Sequence, residues 1–358
     1  MMNVTRDLDI GNDDWPHLRV DPFWVPIYIS FYFPIMFFSV TGNLLVLISF
    51  YREVEIRKRR HNYFIASLAL VDLLTGLIAI PSTVIARLVV TTFTCMAKTR
   101  PILHVPAYTL CAASVNHLVV ISSDRYLAVT KVLKYQSILT SRRCYFLIAI
   151  AWSVAILFGL TPVLGSMKNP ADLSICDGHR YKAKSVTLHS LAIIALIPTI
   201  LIIVVGIYVR VLLVALKASH LRTNISNASS NSTPSEREVT ARLRATITMA
   251  MVLGAFIFCW LPTVFKHIYE IKHWYDFDIM FAVRTIVEIM AYLNSMINPI
   301  IYGYRNHLFR KSYKKLLNQV CRRTSGKLFN GHMRSLTIRL QLTSSTSVDL
   351  EGGDHSQP

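Results

Sequence analysis

Seven long runs of apolar residues alternate with short polar stretches along the chain. About 20 apolar residues in a helix span the hydrocarbon core of a bilayer. The runs, numbered here as segments one to seven, lie near 23–51, 62–88, 99–123, 144–167, 185–214, 243–267 and 279–304. Segment two contains a single acidic residue, Asp72, and segment seven contains Arg284 and Glu288, which can pair one helical turn apart. The pattern predicts an all-α membrane protein, a seven-transmembrane helix bundle.

Composition agrees with a membrane protein and argues against several soluble classes. Hydrophobic residues make up 53% of the 358 residues and charged residues only 16%, which is unusual for a soluble domain. The net charge is +18, but Lys and Arg are concentrated in particular loops, so we expect no nucleic-acid partner. The six cysteines follow the spacing of neither a zinc site nor a disulfide framework. No zinc motif, nucleophile elbow or phosphate loop indicates an enzyme.

The distribution of Lys and Arg in the short loops predicts the orientation. Basic residues cluster in 52–61, in 125–143 and in 305–315, and such loops face the cytoplasm. The N-terminus is then extracellular in a multi-pass plasma-membrane protein, and Asn3, in an Asn-Val-Thr sequon, is a candidate glycosylation site. Three further sequons precede segment six on the cytoplasmic side, and we interpret them as chance matches. The first residues lack a signal-peptide pattern, so segment one is expected to direct insertion.

Four regions are predicted along the chain. They are an extracellular N-terminus (1–22), the seven-helix bundle (23–304), a short amphipathic interfacial eighth helix (305–321) and a disordered cytoplasmic tail (322–358). The eighth helix is predicted because aliphatic and aromatic residues fall on one face of this stretch and Lys and Arg on the other. Such a helix would lie against membrane lipid.

Asp72 is the most informative polar residue, because a carboxylate in the middle of a membrane helix is costly and usually functional. Ser114, Asn294 and Ser295 are oxygen-bearing partners on other helices, and each lies near the middle of its own segment. One carboxylate with hydroxyl and amide oxygens suits a small hard cation. The alternative is a buried carboxylate that only hydrogen-bonds its neighbours.

An ordered set of short motifs extends over all seven segments. They are Gly42-Asn43, Leu68-Ala69-Leu70-Val71-Asp72, Asp124-Arg125-Tyr126, Trp152, Pro198, Phe256, Cys259-Trp260-Leu261-Pro262 and Asn298-Pro299-Ile300-Ile301-Tyr302. In this order and topology they resemble the rhodopsin-like G-protein-coupled receptors, over roughly residues 23–320. The resemblance implies a receptor that binds an extracellular ligand and promotes nucleotide exchange on a heterotrimeric G protein.

The resemblance assigns an activation role to residues in segments three, six and seven. They are Asp124, Arg125, Tyr126, Phe256, Trp260, Pro262, Asn298, Pro299 and Tyr302. In such receptors Arg125 is held by Asp124 at rest and turns towards the G protein on activation. Many relatives have a further acidic partner near the inner end of segment six, where this chain has Arg242 and Arg244. We therefore hypothesise appreciable basal activity.

The resemblance also implies several sites outside the activation set. Asp72, Ser114, Asn294 and Ser295 match the allosteric sodium pocket of the family. Cys176 is expected to form a disulfide with Cys95, although Cys95 lies farther from Arg125 than is usual. Cys321, after the amphipathic stretch, is a candidate for palmitoylation. Phosphorylation of the Ser/Thr-rich tail by a receptor kinase would allow arrestin to bind.

The ligand is less well defined. Amine receptors have an Asp in segment three where this chain has Ala107, and opsins have a Lys where it has Tyr292, so no retinal is expected. The scaffold is most similar to adenosine receptors, but their segment-six Asn is His267 here. The candidate pocket residues are Tyr108, Cys111, Trp260, His267, Glu288 and Tyr292. An adenosine-like or other small organic ligand is expected; alternatives are an amine-like or non-signalling receptor, or a transporter.

Segment five departs from the family pattern. Pro198 and Tyr208 are ten residues apart, whereas the equivalent positions of the nearest relatives are eight residues apart. One of the two is therefore displaced, and the sequence leaves open which.

Overall fold

The computed structural model describes residues 24–92, 100–131, 134–167, 184–226, 251, 254–269, 277–319 and 321–322. Within them, each of the seven apolar segments corresponds to a long helix. The first four segments are α1 (Trp24–Arg52), the pair α3 (His61–Leu74) and α4 (Ile80–Thr92), α5 (Arg100–Thr130) and α7 (Ser141–Met167). Segments five, six and seven are α8 (Lys184–Ser226), α9 (254–269) and α10 (Phe277–Arg305).

Three short helices lie outside the apolar segments. They are α2 (Val54–Arg57), α6 (Tyr135–Ile138) and α11 (307–319), which follows α10 after Asn306. The predicted fold class is confirmed: α-helices form a seven-helix bundle, and a short additional helix follows the last of them.

The segment-two helix changes its winding in the middle. A π-helical turn, Thr75–Ala79, joins α3 to α4 without a break. A π turn contains more residues per turn than an α-helix and is often found at functional sites. Here it begins three residues after Asp72. No pattern in the sequence predicts this turn.

Helix α5 is the centre of the bundle. It packs against α3, α4, α7 and α8, while α1 packs against α3 and α10. Close contact with α7 is possible because Gly159 has no side chain: a Cβ there would lie 1.9 Å from Thr109 Oγ1. The buried core includes Leu118, Val204 and Phe256, from three different helices. Helix α5 therefore contacts the helices of three other segments, two, four and five.

The outer surface of the bundle is apolar. Phe33, Phe146, Ile202 and Phe258 are each more than half exposed. Five helices in the described part of the chain are long and apolar enough to cross a membrane: Ile29–Arg52, His61–Ala86, Ile102–Thr130, Ser141–Leu164 and His189–Val214. An apolar exterior fits a membrane environment, because lipid solvates exposed hydrocarbon side chains.

Tyr208 keeps its inward position in α8. It is buried together with Ile197, Leu201 and Val204, whereas Pro198 is only partly buried. The same face of α8 is thus directed to the core on both sides of the proline. Tyr208 therefore lies on the core-facing side of α8, whichever of the two residues accounts for the unusual spacing.

Candidate functional site

Asp72 is fully buried and is held by two donors from α10. Ser295 Oγ donates to Asp72 Oδ1 at 2.7 Å, and Asn298 Nδ2 donates to Asp72 Oδ2 at 2.8 Å. Nearby, Asn294 Nδ2 donates to Ser114 Oγ at 3.2 Å. The four residues predicted around a cation therefore lie in one polar cluster between α3, α5 and α10. Asn298, which the sequence placed only in the activation set, contacts the carboxylate directly.

The chemistry of this cluster fits a small hard cation. Sodium prefers oxygen ligands, and the cluster provides a carboxylate, hydroxyls and amide oxygens. Asn298 Oδ1 and Asn43 Oδ1 are buried and accept no hydrogen bond from the described residues. Asn43 Nδ2 also donates to the Ser295 carbonyl at 2.9 Å, which fixes α1 against α10. Oxygens with unused lone pairs beside a buried carboxylate are suitable cation ligands.

Asp124 and Arg125 form a buried ion pair near the C-terminal end of α5. Arg125 Nε donates to Asp124 Oδ2 at 2.9 Å, and its Nη2 contacts the same oxygen. Their exposed fractions are only 3% and 8%, whereas Tyr126 is exposed. Burial makes the pair depend on its hydrogen bonds, because unpaired buried charges are strongly destabilising.

A tyrosine of the following loop completes the surroundings of Asp124. Tyr135 in α6 donates its hydroxyl to Asp124 Oδ1 at 2.7 Å, so both carboxylate oxygens are engaged. Burial, together with the negative charge of Asp124, raises the pKa of Tyr135. The hydroxyl therefore keeps its proton, and hence its hydrogen bond, throughout the physiological pH range. Tyr135 was not predicted as a site residue, because no local pattern in the sequence links α6 to Asp124.

The position of α6 is set from the neighbouring helix. Arg60, directly before α3, donates to the Leu139 carbonyl at 2.5 Å and also to the Gln136 carbonyl. Backbone carbonyls at the end of a helix have no partner within it, and a basic side chain can satisfy them. Arg60 thus holds the loop that presents Tyr135.

The predicted aromatic pair of α9 is present in the core. Phe256 and Trp260 stack at a centroid distance of 5.6 Å with an interplanar angle of 21°. Both are buried, as is Cys259 between them. Trp260 Nε1 is buried and makes no hydrogen bond among the described residues. Pro262, two residues farther along, removes a backbone donor from this helix.

The end of α10 packs against α1 and α11. Pro299 lies so close to α1 that a Cβ on Gly42 would be 3.0 Å from its Cβ. Tyr302 is almost fully buried, and its ring lies 6.2 Å from that of Phe309 in α11. The predicted activation residues of segment seven therefore connect the Asp72 cluster, through Asn298, with the helix that follows the bundle.

The candidate pocket residues fall into two groups, and the first lies where α10 meets α1 and α4. Tyr292 and Thr83 share a hydrogen bond of 2.6 Å between their hydroxyls. Tyr32 donates to Glu288 Oε2 at 3.3 Å, and its ring meets that of Tyr292 edge to face. These contacts connect α1, α4 and α10. Thr83 and Tyr32 had not been predicted, because each belongs to a different segment from its partner.

The second group lies between α5, α7, α8 and α9. His267 Nδ1 and Ser190 Oγ are 3.1 Å apart and form a hydrogen bond. Tyr108 lies against His189, with 4.6 Å between ring centroids. Both histidines are buried. Cys111 is partly buried and packs against both core clusters of the bundle. His189 had not been predicted as a site residue.

A further polar chain connects three helices in the membrane-spanning part. Trp152 Nε1 donates to Ser67 Oγ at 3.2 Å. His117 Nδ1 lies 2.7 Å from the Ala113 carbonyl, to which it must donate, so His117 Nε2 accepts from Ser67 at 2.7 Å. These bonds leave no polar atom of the histidine ring unpaired. The chain explains the position of Trp152 in structural terms.

Several predicted sites lie outside the described residues. They are Asn3, Cys95, Cys176, Arg242 and Arg244. The disulfide, the glycosylation site and the missing acidic partner in segment six therefore stay predictions. Cys321 is described, is exposed and is not in a disulfide.

Comparisons with known proteins assign the family. The family described as "7 transmembrane receptor (rhodopsin family)" matches residues 42–302. The adenosine receptor A2b of Gallus gallus is 30% identical over 326 residues, covering 83% of this chain and 90% of that protein. The human adenosine receptor A2a is 27% identical, with 81% and 72% covered. The 5-hydroxytryptamine receptor 4 of Cavia porcellus is 24% identical, with 81% and 79% covered. The chain is a member of the rhodopsin family of seven-transmembrane, G-protein-coupled receptors.

Proposed function

We propose that this receptor transmits the binding of a small extracellular ligand to a heterotrimeric G protein through α5. Tyr108 lies towards one end of this helix and Arg125 towards the other, roughly 25 Å apart at 1.5 Å per residue. Ser114, in the Asp72 cluster, lies between them. The observation that carries the proposal is this arrangement of a polar pocket, a buried polar centre and a buried ion pair along one helix.

In the proposed orientation, the N-terminus is extracellular and the Arg125 end faces the cytoplasm. The resting state is the one in which Arg125 is bound to Asp124, and Tyr135 holds the carboxylate from the other side. An agonist prefers the conformer in which α9 has moved outward and Arg125 is free to meet the G protein. Ligand binding then shifts the population towards that conformer without any covalent chemistry.

Sodium is proposed to stabilise the resting state. Asp72, Ser114, Asn294, Ser295 and Asn298 would hold the ion, and its charge would compensate the buried carboxylate. The oxygens that accept no hydrogen bond support this assignment. Because Asn298 lies in the same helix as Tyr302, rearrangement of α10 on activation would disturb the ion's ligands. Ligand and sodium would then oppose each other.

The proposed ligand is a small molecule with an aromatic ring and polar substituents. The relatives named above are receptors for adenosine and 5-hydroxytryptamine, both of which are such molecules. Ala107 removes the segment-three carboxylate used to bind amines, and His267 replaces the adenosine-receptor Asn. We propose an adenosine-like ligand contacted by the two pocket groups, with an amine bound through Glu288 as the second candidate, because Glu288 lies beside Tyr32 in the pocket.

Additional partners are proposed from the sequence. Phosphorylation of the tail by a receptor kinase would recruit arrestin, and palmitoylation of Cys321 would hold α11 against membrane lipid. The exposed position of Cys321 supports that modification. A disulfide between Cys95 and Cys176 would tie the extracellular loops to the bundle.

GTP exchange on a panel of G proteins tests the proposed function. Membranes containing the receptor are assayed without ligand, with adenosine, and with 5-hydroxytryptamine and other monoamines. The Arg125→Ala variant should abolish receptor-dependent exchange, and Arg142→Ala, a change of an exposed arginine near the same end of the bundle, should leave it intact. Absence of exchange on every G protein, with well-folded receptor at the surface, would contradict coupling.

A further inference from the structure

His189 is a buried histidine whose hydrogen-bonding capacity is only partly satisfied by the described residues. It lies in the second pocket group, and its exposed fraction is 6%. Its Nδ1 lies 3.1 Å from Thr161 Oγ1 in α7. Its Nε2 is buried and forms no hydrogen bond with any described residue. A buried polar atom without a partner is costly, and such atoms in a native structure commonly indicate a functional role.

The hydrogen bonds of Thr161 fix the tautomer of His189. Thr161 Oγ1 donates its only proton to the Phe158 carbonyl at 2.7 Å. Its oxygen can therefore only accept from His189, so the ring proton resides on Nδ1. In the neutral imidazole Nε2 is then a bare acceptor. An imidazolium would be costly in the membrane-spanning part of the bundle, so the neutral form is the one present.

The direction of Nε2 and the rings around the imidazole place this acceptor in the second pocket group. The two nitrogens point to opposite sides of the imidazole, so Nε2 faces away from Thr161. The Tyr108 and Phe158 rings cover the imidazole at centroid distances of 4.6 and 4.8 Å. The next residue, Ser190, is bonded to His267 of α9. The acceptor thus lies between aromatic rings, near the helix that moves in the proposed activation.

We propose that His189 is a ligand-contacting residue whose Nε2 accepts a hydrogen bond from an O–H or N–H group on a neutral aromatic ligand. The ligand reaches this atom when the Tyr108 ring rotates away, and its own ring then replaces Tyr108 against the imidazole. A ligand with only acceptors at this position would leave Nε2 unsatisfied and bind more weakly. The inference rests on the small-ligand receptor function proposed above and specifies the chemistry of its ligand.

Pairs of fragments that differ only in the donor test the proposal. Phenol is compared with anisole, and indole with 1-methylindole, by ligand-observed NMR titration of the purified full-length receptor. Phenol and indole should bind roughly tenfold more tightly than their methylated counterparts, as expected for one additional satisfied hydrogen bond. His189→Phe, which keeps an aromatic ring but removes the acceptor, should abolish this preference. His307→Phe, an equivalent change at an exposed site in α11, should retain it.

Thr161→Val is the second variant, in case His189→Phe does not fold. It removes the group that holds the proton on Nδ1, so the preference for donor fragments should fall. Equal binding of both members of each pair, absence of binding by all four fragments, or a preference that survives in His189→Phe would overturn the proposal. Because the titration contains no G protein, these outcomes are independent of whether the receptor promotes GTP exchange.

Discussion

The Asp72 carboxylate illustrates how one residue depends on the donors around it. Both oxygens accept a hydrogen bond, one from a hydroxyl and one from an amide of α10. An isosteric amide could keep both contacts, because its nitrogen can donate to the Ser295 hydroxyl while its oxygen accepts from Asn298. Removing the charge, however, removes the main attraction for a cation. Cation binding, and not hydrogen bonding alone, therefore requires the carboxylate.

Asp72→Asn should remove the effect of sodium on the receptor. In the unmodified protein, exchanging choline chloride for sodium chloride at constant ionic strength should raise the thermal unfolding midpoint; in Asp72→Asn the two midpoints should coincide. The measurement is a thermal unfolding curve of purified receptor in each salt. A sodium-dependent rise that persists in the variant would place the ion elsewhere.

Tyr135 provides a residue-scale test of the ion pair. Tyr135→Phe removes the hydrogen bond to Asp124 Oδ1 and leaves the ring in place. Hydrogen bonds to charged groups contribute about 1.5–3 kcal/mol, and without this one Asp124 would be left buried and unpaired when Arg125 leaves. Release of Arg125 should therefore become harder, and ligand-free GTP exchange should fall severalfold. Tyr145→Phe, at an exposed ring in α7, is the matched control and should not change exchange. Unchanged basal exchange in Tyr135→Phe would show that α6 does not affect the release of Arg125.

At the scale of elements, the contact of α5 with α7 depends on one glycine. A Cβ at Gly159 would overlap Thr109, including its backbone Cα at 2.9 Å. The two helices would have to separate, because the obstructing atoms are not only at the tip of a flexible side chain. This contact is therefore sensitive to the smallest possible increase in size.

Gly159→Ala should lower the free energy of unfolding by about 1–3 kcal/mol, as overpacking does in other cores. Gly206→Ala in α8 is the control, because a Cβ there meets nothing within 4 Å. That change should be neutral or slightly stabilising, since alanine favours a helix over glycine. The thermal unfolding midpoints of both variants decide the matter. Equal midpoints would mean that α5 and α7 adjust without cost.

Helix α11 is held mainly by the buried side chain of Phe309 and less by the ion pair of Lys315 with Glu53. Phe309 is fully buried, whereas Lys315 and Glu53 form an exposed pair at 2.9 Å. Phe309→Ala should cost about 3–5 kcal/mol, and Lys315→Ala less than about 1 kcal/mol. Thermal unfolding of the two variants measures the difference. A larger effect of Lys315→Ala would show that charge, not packing, fixes this helix.

In the proposed mechanism, few contacts set the balance between the resting and active states of the receptor. Among the described residues, Arg125 is held by Asp124 alone through its charge. In the sequence, Arg242 and Arg244 occupy the region where many relatives have an acidic partner, and Glu238 lies about one turn further out. We expect ligand-free exchange above that of membranes from cells with an empty vector. GTP exchange at matched expression measures this. Exchange equal to the empty-vector value would mean that other contacts keep the receptor at rest.

The whole fold was predictable because a bilayer imposes a length and an apolarity on each helix, and these appear directly in the sequence. The Asp72 cluster was predictable for the same reason, since polar residues are conspicuous in apolar segments. The partners of Tyr292 and Asp124 were not, because Thr83 and Tyr135 belong to other elements and only the packing brings them together. The π turn was not either, since Thr75–Ala79 is an unremarkable apolar sequence.

That π turn has a consequence for the register of the segment-two helix. Each residue of an α-helix rotates the following ones by about 100°. Thr75–Ala79 holds about one residue more than ordinary α-helix would over the same rotation, so the wide turn absorbs that residue. If these residues wound as α-helix with none removed, α4 would turn by about that angle relative to α3, and Thr83 would leave Tyr292 while Asp72 stayed with Ser295 and Asn298. Deletion of Leu77, which converts the turn to α-helix, should instead leave Thr83 at Tyr292. The π turn thus sets which face of α4 is directed at Tyr292, independently of the contacts of Asp72.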